Sequence, residues 1–350
     1  MRGRVMSEHT HTILRLMVLL VVPIWAFSAL PADSRADDSQ AKFLFSFEND
    51  FFGGSDKHYT SAIKFTWVSR DIRNDGTPPK GWGGLIADKI PLRRNDLQQN
   101  LTLSFGQNMY TPEDTAAEDL IVNDRPYAGW TYLSLGLHTA KLNTLDSFEL
   151  TIGVVGPSSL AEKSQKLVHE WINDKGPNGW NNQLNDEPGL LLTWERHWRS
   201  LRTPTHTLFA ADLIPHTGLT LGNVYTYANA GFEARMGYNF PADFGSPLIR
   251  PGGGTAVTAY SGHHRWPSFG FVFFAGIDGR AIARNIFLDG NTFRDSHSVD
   301  KNYFVADLYA GATFIYNRLE FTYTHVYRTE EFKDQDGGQY YGSFTISWTY

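Results

Sequence analysis

The 350-residue chain has no cysteine, no excess of positive charge, and no long apolar run beyond its first 30 residues. The absence of cysteine excludes disulfide-stapled folds, thiol nucleophiles and thiolate metal sites. With 31 Lys and Arg against 37 Asp and Glu, the chain has no surplus of basic residues to neutralise a phosphate backbone, so nucleic acid is not an expected partner. No later apolar run approaches the roughly 20 residues that a membrane-spanning helix requires, which excludes a helical membrane protein.

The first 36 residues are predicted to be an export signal. Basic residues precede an apolar stretch, Leu16–Leu30, which is too short to span a membrane stably and is interrupted by Pro23. Cleavage is expected after Ala36, with Ala32 as the alternative. A single domain, residues 37–350, is then expected to follow.

The rest of the chain is dominated by alternation of apolar and polar residues, the pattern of half-buried β-strands. About twelve such segments begin near residues 42, 58, 97, 130, 146, 187, 205, 224, 267, 302, 317 and 340. Their polar faces are rich in Thr, Ser and Tyr, their apolar faces end in Trp and Tyr, and the last segment ends on the terminal Tyr350. These features favour a membrane barrel over a soluble sandwich. The sequence therefore predicts an all-β, antiparallel up-and-down transmembrane barrel of about 12 strands.

The alternation also assigns side chains in the first two segments to one face of the wall. Glu48 and Asp50 fall in the inward, polar phase of the first segment. Thr60 and Lys64 fall in the inward phase of the second, and Tyr59 falls in the outward phase. We expect Glu48 and Lys64 to form an interior charge pair. Two periplasmic links, residues 70–96 and 239–266, are long, and the pattern gives no reason for their length.

One short helix is predicted in an extracellular loop. Ser159-Leu-Ala-Glu162 has the form of a capping box, and Lys175-Gly176-Pro177 should end the helix. Its apolar face would consist of Leu160, Ser164, Leu167, Val168, Trp171 and Ile172. Gln165 and His169 lie on an adjacent stripe, because they are four residues apart. The helix is thus expected to present His169 towards the edge of the barrel.

The topology brings several polar residues to the same external rim. Asn49 and Asp50 end the first strand, Thr60 lies near the start of the second, and His169 is on the loop helix. An imidazole that titrates near pH ~6.5 can act as a general base. A carboxylate such as Asp50, with carbonyl groups of the Gly53-Gly54 turn, can bind a hard cation such as calcium, and a threonine hydroxyl can donate to an oxyanion. Ordinary structural roles for the histidine, the aspartate and the threonine remain open at this point.

A set of short motifs resembles the outer-membrane lipid A 3'-O-deacylase family, and the resemblance spans essentially the whole mature chain. The order and spacing of the motifs are more specific than any one of them. The motifs are Phe47-Glu-Asn-Asp50, Tyr59-Thr60, Asn123-Asp-Arg-Pro-Tyr-Ala-Gly129, Gly153-Val-Val-Gly-Pro157, Gln165-x-x-x-His169 and Asn285-Ile-Phe-Leu-Asp-Gly-Asn-Thr-Phe293. The resemblance implies a twelve-stranded barrel with its active site at the outer rim.

The same resemblance implies a calcium-dependent esterase that removes the 3'-linked acyloxyacyl chain of lipid A. The family's catalytic Asn-Asp pair would fall on Asn49 and Asp50, its threonine on Thr60 and its histidine on His169. In the mechanism that the resemblance implies, the histidine activates water, while calcium, held partly by Asp50, polarises the ester carbonyl. Gln165 would orient the imidazole ring or a water molecule. We expect a monomer in the bacterial outer membrane that acts on lipopolysaccharide from the extracellular side.

One departure from the family concerns the lipid A phosphates, which need cationic partners. Members of the family carry a lysine in the second outer loop, whereas residues 108–124 contain no Lys or Arg. Arg125 and Lys57 are the candidates to replace it. Two other functions remain open from the sequence: a non-enzymatic barrel, either a pore or a structural protein, and an outer-membrane phospholipase.

Overall fold

The structure is a computed structural model that describes residues 41–50, 58–72, 96–172, 176–203, 209–239, 243–250 and 269–350. The predicted export signal, the Gly53-Gly54 turn, Lys57 and most of the link at 70–96 lie outside the described residues. The twelve strands are β1 (Lys42–Asn49), β2 (His58–Val68), β3 (Gln98–Thr111), β4 (Ala128–Lys141), β5 (Thr144–Val155), β6 (Glu187–Trp198), β7 (Phe209–Gly222), β8 (Tyr225–Tyr238), β9 (Phe269–Asn285), β10 (Phe304–Tyr316), β11 (Leu319–Arg328) and β12 (Gln339–Thr349). The described residues also form two α-helices, α1 (Ala161–Ile172) and α2 (Ile286–Asp289).

The strands form one closed antiparallel barrel, as predicted. Each strand pairs with its neighbours in the sequence, and β1 closes the barrel on β12 in a register that runs from Lys42 opposite Thr349 to Asn49 opposite Gly342. Closure leaves no edge of unpaired backbone groups, which is the condition for strands to cross hydrocarbon. Among the described residues, no helix is long and apolar enough to cross a membrane.

Alternation sorts the side chains between the lumen and the outer wall. Along β1 the burial alternates residue by residue, and Ser46 and Glu48 point into the lumen as predicted. The outward positions of β3 to β6 carry large apolar side chains that are 40% to 54% exposed: Leu103, Phe105, Leu133, Leu135, Phe148, Leu150, Ile152, Leu190 and Leu192. They form an apolar outer belt of the kind that faces lipid in outer-membrane barrels.

Charged side chains fill much of the lumen and are paired with one another. Asp307 accepts two hydrogen bonds from Arg328, at 2.8 and 2.9 Å, and a third from Arg280. Lys42 contacts both carboxylate oxygens of Glu320, at 2.9 and 3.0 Å. Buried charges are stable only when they are paired in this way, because water no longer solvates them.

The long link at 239–266 has a structural explanation, since residues 243–250, here called the lumen segment, run inside the barrel. Phe244 packs in a cluster with Leu44, Val68, Ala140 and Leu145 at the end of the barrel where β1 begins. At the other end of the lumen segment, the amide N–H of Ile249 donates to Oε1 of Glu48 at 2.8 Å. A turn of a few residues could not extend this far into the lumen.

Arg250, which ends the lumen segment, completes its contacts with the wall. Its guanidinium lies 3.6 Å from Glu195 and 4.0 Å from Asp278. The expected pair between Glu48 and Lys64 is wrong, because the two carboxylate oxygens of Glu48 accept instead from Ile249 and from the hydroxyl of Tyr59.

The predicted helix in the loop after β5 is present as α1, but it differs from the prediction in two respects. It begins at Ala161 rather than directly after Ser159, because Leu160 adopts a left-handed conformation with φ 61°. In the described part of its apolar stripe, Leu167 and Val168 are 54% and 43% exposed, whereas Gln165 on the adjacent stripe is buried.

The Asp307 cluster provides a test of the charged lumen. We expect Asp307→Ala to lower the free energy of unfolding by about 3–5 kcal/mol, because it leaves two buried arginines without a shared carboxylate. The measurement is denaturant-induced unfolding of the detergent-solubilised barrel, followed by its heat-modifiable mobility on gels.

Asp300→Ala is the matched control, because Asp300 pairs with Lys333 at 3.5 Å while both side chains are mostly exposed. We expect the control to unfold like the wild type. Equal unfolding of the Asp307 and Asp300 variants would contradict the importance of the lumen pairs.

Candidate functional site

Two of the predicted site residues are in direct contact where β1 ends and β2 begins. The side-chain amide of Asn49 donates to the backbone carbonyl of Thr60 at 2.9 Å. The hydroxyl of Thr60 forms a 2.7 Å hydrogen bond with the hydroxyl of Thr111 at the end of β3. Asp50 directly follows Asn49 and is buried. The three strand ends therefore bring Asn49, Asp50 and Thr60 close together.

The inward and outward assignments of Tyr59 and Thr60 are wrong, and a β-bulge is the reason. The register between β2 and β3 shifts between Tyr59 and Ser61, so that Thr60 is an extra residue. Tyr59 was predicted to face outward, yet its hydroxyl donates to Glu48 inside the lumen at 2.8 Å. Thr60 was predicted to face inward, yet its hydroxyl bonds to Thr111, which continues the outward phase of β3.

The loop that leads into α1 is attached to the outer face of the wall. Gly156 ends β5 with φ 99°, a backbone conformation that favours glycine, and a 3₁₀ turn at Pro157–Ser159 follows. The carbonyl of Ser159 accepts two hydrogen bonds of 2.7 Å, one from the amide of Gln107 and one from the hydroxyl of Thr131. These two donors occupy outward positions of β3 and β4, where a polar side chain would otherwise face hydrocarbon.

The first residue of α1 packs close to the Thr60–Thr111 pair. Ala161 lies in a buried cluster with Met109, Tyr127 and Trp180. Met109 is two residues before Thr111 on β3, and residues at this spacing point to the same face about 7 Å apart. The start of α1 is therefore one outward side-chain position away from the threonine pair.

Gln165 and His169 share one face of α1 with Ala161, because the three residues are four apart along the helix. Gln165 is buried and His169 is half-buried. The structure supports the helix and its spacing. The approach of the His169 imidazole to Asp50 and Thr60 remains a prediction.

Arg125 cannot take the place of the missing lysine. Its side chain is fully buried, its Nη1 donates to Glu331 at 2.9 Å, and its guanidinium lies 4.9 Å from the centre of the Tyr110 ring. A buried and ion-paired guanidinium has no access to a phosphate group of a lipid in the membrane. Lys57, the other candidate, lies outside the described residues.

Asp124 stabilises the loop between β3 and β4 rather than contributing a reactive carboxylate. Its two oxygens accept from the backbone amides of Arg125 and Glu113, both at 2.7 Å. Burial raises the pKa of Asp124 above its usual range, although these hydrogen bonds act in the opposite direction. Asp124 therefore stabilises the conformation of the loop through these two hydrogen bonds.

The oxygen-rich chemistry around Asp50 fits a calcium ion. Calcium prefers carboxylate, amide and backbone carbonyl oxygens, and Asp50 and Asn49 supply the first two kinds. The backbone carbonyls of Gly53-Gly54 lie outside the described residues. Among the residues that the structure describes, there is no group of three or more His, Cys, Asp or Glu that could hold a metal ion.

Sequence reasoning missed the residues that arrange the site. Thr111 and Met109 lie on a strand that the alternation identified, but their contacts with Thr60 and Ala161 depend on the bulge and on the path of the loop. Gln107 and Thr131 could have indicated where the loop attaches, because these two polar residues interrupt the apolar outward phase of β3 and β4.

The chain matches the model of one protein family and is similar to several solved structures. Residues 14–350 match the family described as "Outer membrane protein LpxR". Among solved structures, LpxR from Salmonella typhimurium is similar with a TM-score of 0.70 and 18% sequence identity, covering 88% of this chain and 99% of that chain. The β domain of the Bordetella autotransporter BrkA is less similar, with a TM-score of 0.43 and 10% sequence identity, and the match covers 89% of this chain and 98% of that chain. No curated protein matches the chain.

The contact between Gly129 and the α1 loop can be tested by adding one methyl group. A Cβ at Gly129 would overlap the side chains of Ala161 and Ser159. We expect Gly129→Ala to displace the loop from the wall, so that trypsin cleaves faster after the exposed Lys163 and Lys166 while the barrel remains heat-modifiable.

Gly279→Ala is the control, because the nearest atom to its new Cβ would be 3.6 Å away. Identical cleavage of the two variants would mean that the loop does not rest on Gly129.

Proposed function

The chain belongs to the LpxR family of outer-membrane proteins, and from this premise we propose that it is a calcium-dependent esterase. The proposed substrate is lipid A, from which the enzyme would remove the 3'-linked acyloxyacyl chain at the extracellular surface. The observation that carries the proposal is the contact of Asn49 with Thr60 on the outer side of the wall, beside the start of α1.

The geometry of the wall favours a lipid substrate. The contact of Thr60 with the outward-phase Thr111 puts its hydroxyl on the side of the apolar outer belt rather than in the lumen. An ester within the outer leaflet could reach this position by lateral movement, without leaving the membrane. A water-soluble substrate would not have access to a site on the lipid-facing side.

In the proposed reaction, His169 acts as the general base. Its imidazole takes a proton from a water molecule, whose oxygen attacks the ester carbonyl carbon. The bond between the acyl carbon and the sugar oxygen then breaks, and the imidazole passes the proton to that sugar oxygen. Gln165, one helical turn before His169, would orient the ring or the water.

Asp50 and Thr60 would stabilise the charge that develops on the carbonyl oxygen. Asp50 would hold calcium, which when bound supplies positive charge to the oxyanion. The hydroxyl of Thr60 would donate to the same oxygen, and Asn49 would fix the Thr60 backbone through its 2.9 Å hydrogen bond.

The interior of the barrel, as far as the structure describes it, argues against the rival function of an open pore. The lumen segment occupies the interior, and its Arg250 guanidinium lies close to carboxylates of β6 and β9. A phospholipase or a barrel without catalytic activity would share the same fold, so the chemistry of the product distinguishes them from the proposal.

The first test replaces the proposed base. We expect His169→Ala to lower lipid A deacylation by about a thousandfold, because it removes the proposed acceptor of the proton of water. Mass spectrometry of lipid A from cells that express each variant measures the loss of the acyloxyacyl unit.

His325→Ala is the control, because His325 is exposed on the outer wall of β11. It should deacylate like the wild type. An unchanged lipid A spectrum in cells with the wild-type protein, under calcium-replete conditions, would contradict the proposed function.

The second test removes calcium. We expect a chelator to abolish deacylation by the purified protein and excess calcium to restore it, whereas magnesium should restore little because it demands a stricter octahedral geometry. Full activity in the presence of the chelator would exclude calcium from the reaction.

A further inference from the structure

We propose that Glu48, Tyr59 and Gln339, which face the lumen, are positioning residues for the site on the other side of the wall. We call these three residues the inner latch. The inference rests on the proposed function, because it concerns how Asn49, Asp50 and Thr60 are held. None of the three latch residues would touch the substrate.

Glu48 holds two parts of the protein together at the end of β1. It is fully buried, its Oε2 accepts from the hydroxyl of Tyr59 at 2.8 Å, and its Oε1 accepts from the amide of Ile249 at 2.8 Å. A buried carboxylate is costly unless such donors compensate for lost water. The end of β1 is therefore tied both to β2 and to the lumen segment.

Gln339 bonds to the backbone of Tyr59, which lies beyond the last pair of β1 and β2, Asn49 opposite Ser61. The Tyr59 amide donates to Oε1 of Gln339 at 3.0 Å, and Nε2 of Gln339 donates back to the Tyr59 carbonyl at 3.0 Å. Beyond the end of β1, a side chain of β12 thus joins β12 to β2 directly. Such a two-bond contact fixes the position of Tyr59 along and across the wall.

The ring of Tyr59 also has close contacts inside the lumen. It packs against the rings of Tyr110 and Tyr341, with centroid distances of 5.5 and 5.1 Å. The guanidinium of Arg328 lies 5.4 Å from the centre of the same ring. Tyr59 is consequently a fixed lumen anchor at the point where β2 bulges.

Adjacent residues in a regular strand point to opposite faces, and at the bulge Tyr59 bonds to Glu48 in the lumen while Thr60 bonds to Thr111. Glu48 immediately precedes Asn49, and Tyr59 immediately precedes Thr60. The hydrogen bond between Glu48 and Tyr59 on the lumen side is therefore matched by the hydrogen bond between Asn49 and Thr60. The inner latch sets the distance between the two strand ends that carry the proposed catalytic groups.

The test uses Tyr59→Phe and Gln339→Leu in the full-length protein purified in detergent. Tyr59→Phe keeps the ring packing and removes the donor to Glu48, whereas Gln339→Leu removes both bonds to the Tyr59 backbone. We expect each variant to lower kcat for lipid A about tenfold and to change KM less than about twofold, because positioning affects the transition state more than substrate binding.

Tyr341→Phe is the matched control. Tyr341 lies in the same ring cluster, but its hydroxyl accepts from Arg328 at 3.1 Å and does not contact Glu48. We expect its kcat and KM to equal those of the wild type. All variants should keep heat-modifiable mobility, which shows that the barrel has folded.

Hydrogen exchange with mass spectrometry gives a second readout that does not need activity. Peptides that contain Asn49 and Thr60 should exchange faster in Tyr59→Phe and Gln339→Leu, and at the wild-type rate in Tyr341→Phe. Faster exchange with reduced kcat supports the inner latch. Wild-type exchange in both latch variants, or faster exchange with unchanged kcat, overturns it. A wild-type protein that leaves lipid A intact refutes the proposed function alone, because the exchange comparison still decides whether the latch orders the strand ends.

Discussion

The closed ladder of backbone hydrogen bonds is the constraint on which the rest of the structure depends. In hydrocarbon, every strand must satisfy its backbone groups with its two neighbours, and closure of β1 on β12 completes this requirement. Once the ladder is formed, successive side chains along each strand point alternately to the lipid and to the lumen. The lumen must then bury many polar groups, and it does so through paired charges and the lumen segment. The outer wall must be apolar, so polar groups there need local partners.

The candidate site is built where this alternation is interrupted. At the bulge in β2, Tyr59 turns into the lumen and Thr60 bonds to the outward-phase Thr111. On β3 and β4, Gln107 and Thr131 satisfy their outward polar groups with the carbonyl of Ser159, which attaches the α1 loop to the wall. Each of these exceptions to the pattern therefore has a hydrogen-bond partner.

The sequence was sufficient to predict the barrel, because alternation is a local property that repeats in every strand. It also predicted that Asn49, Asp50 and Thr60 would meet, since this follows from the order of β1 and β2. It could not predict the inward position of Tyr59, because one inserted residue reverses the phase without changing the composition. The burial of Arg125 and the entry of residues 243–250 into the lumen depend on partners distant in the chain, such as Glu331 and Glu48. No local pattern identifies such partners.

The central proposal is that α1 brings His169 to Thr60 at the start of β2. The absence of cysteine makes this directly measurable, because a pair of introduced thiols would be the only one in the protein. The measurement is the yield of a short thiol-to-thiol cross-link in Thr60→Cys combined with His169→Cys, compared with Thr60→Cys combined with Glu170→Cys on a different side of the helix. The account predicts efficient cross-linking of positions 60 and 169 and much less of positions 60 and 170. A folded barrel in which positions 60 and 169 do not cross-link would contradict it.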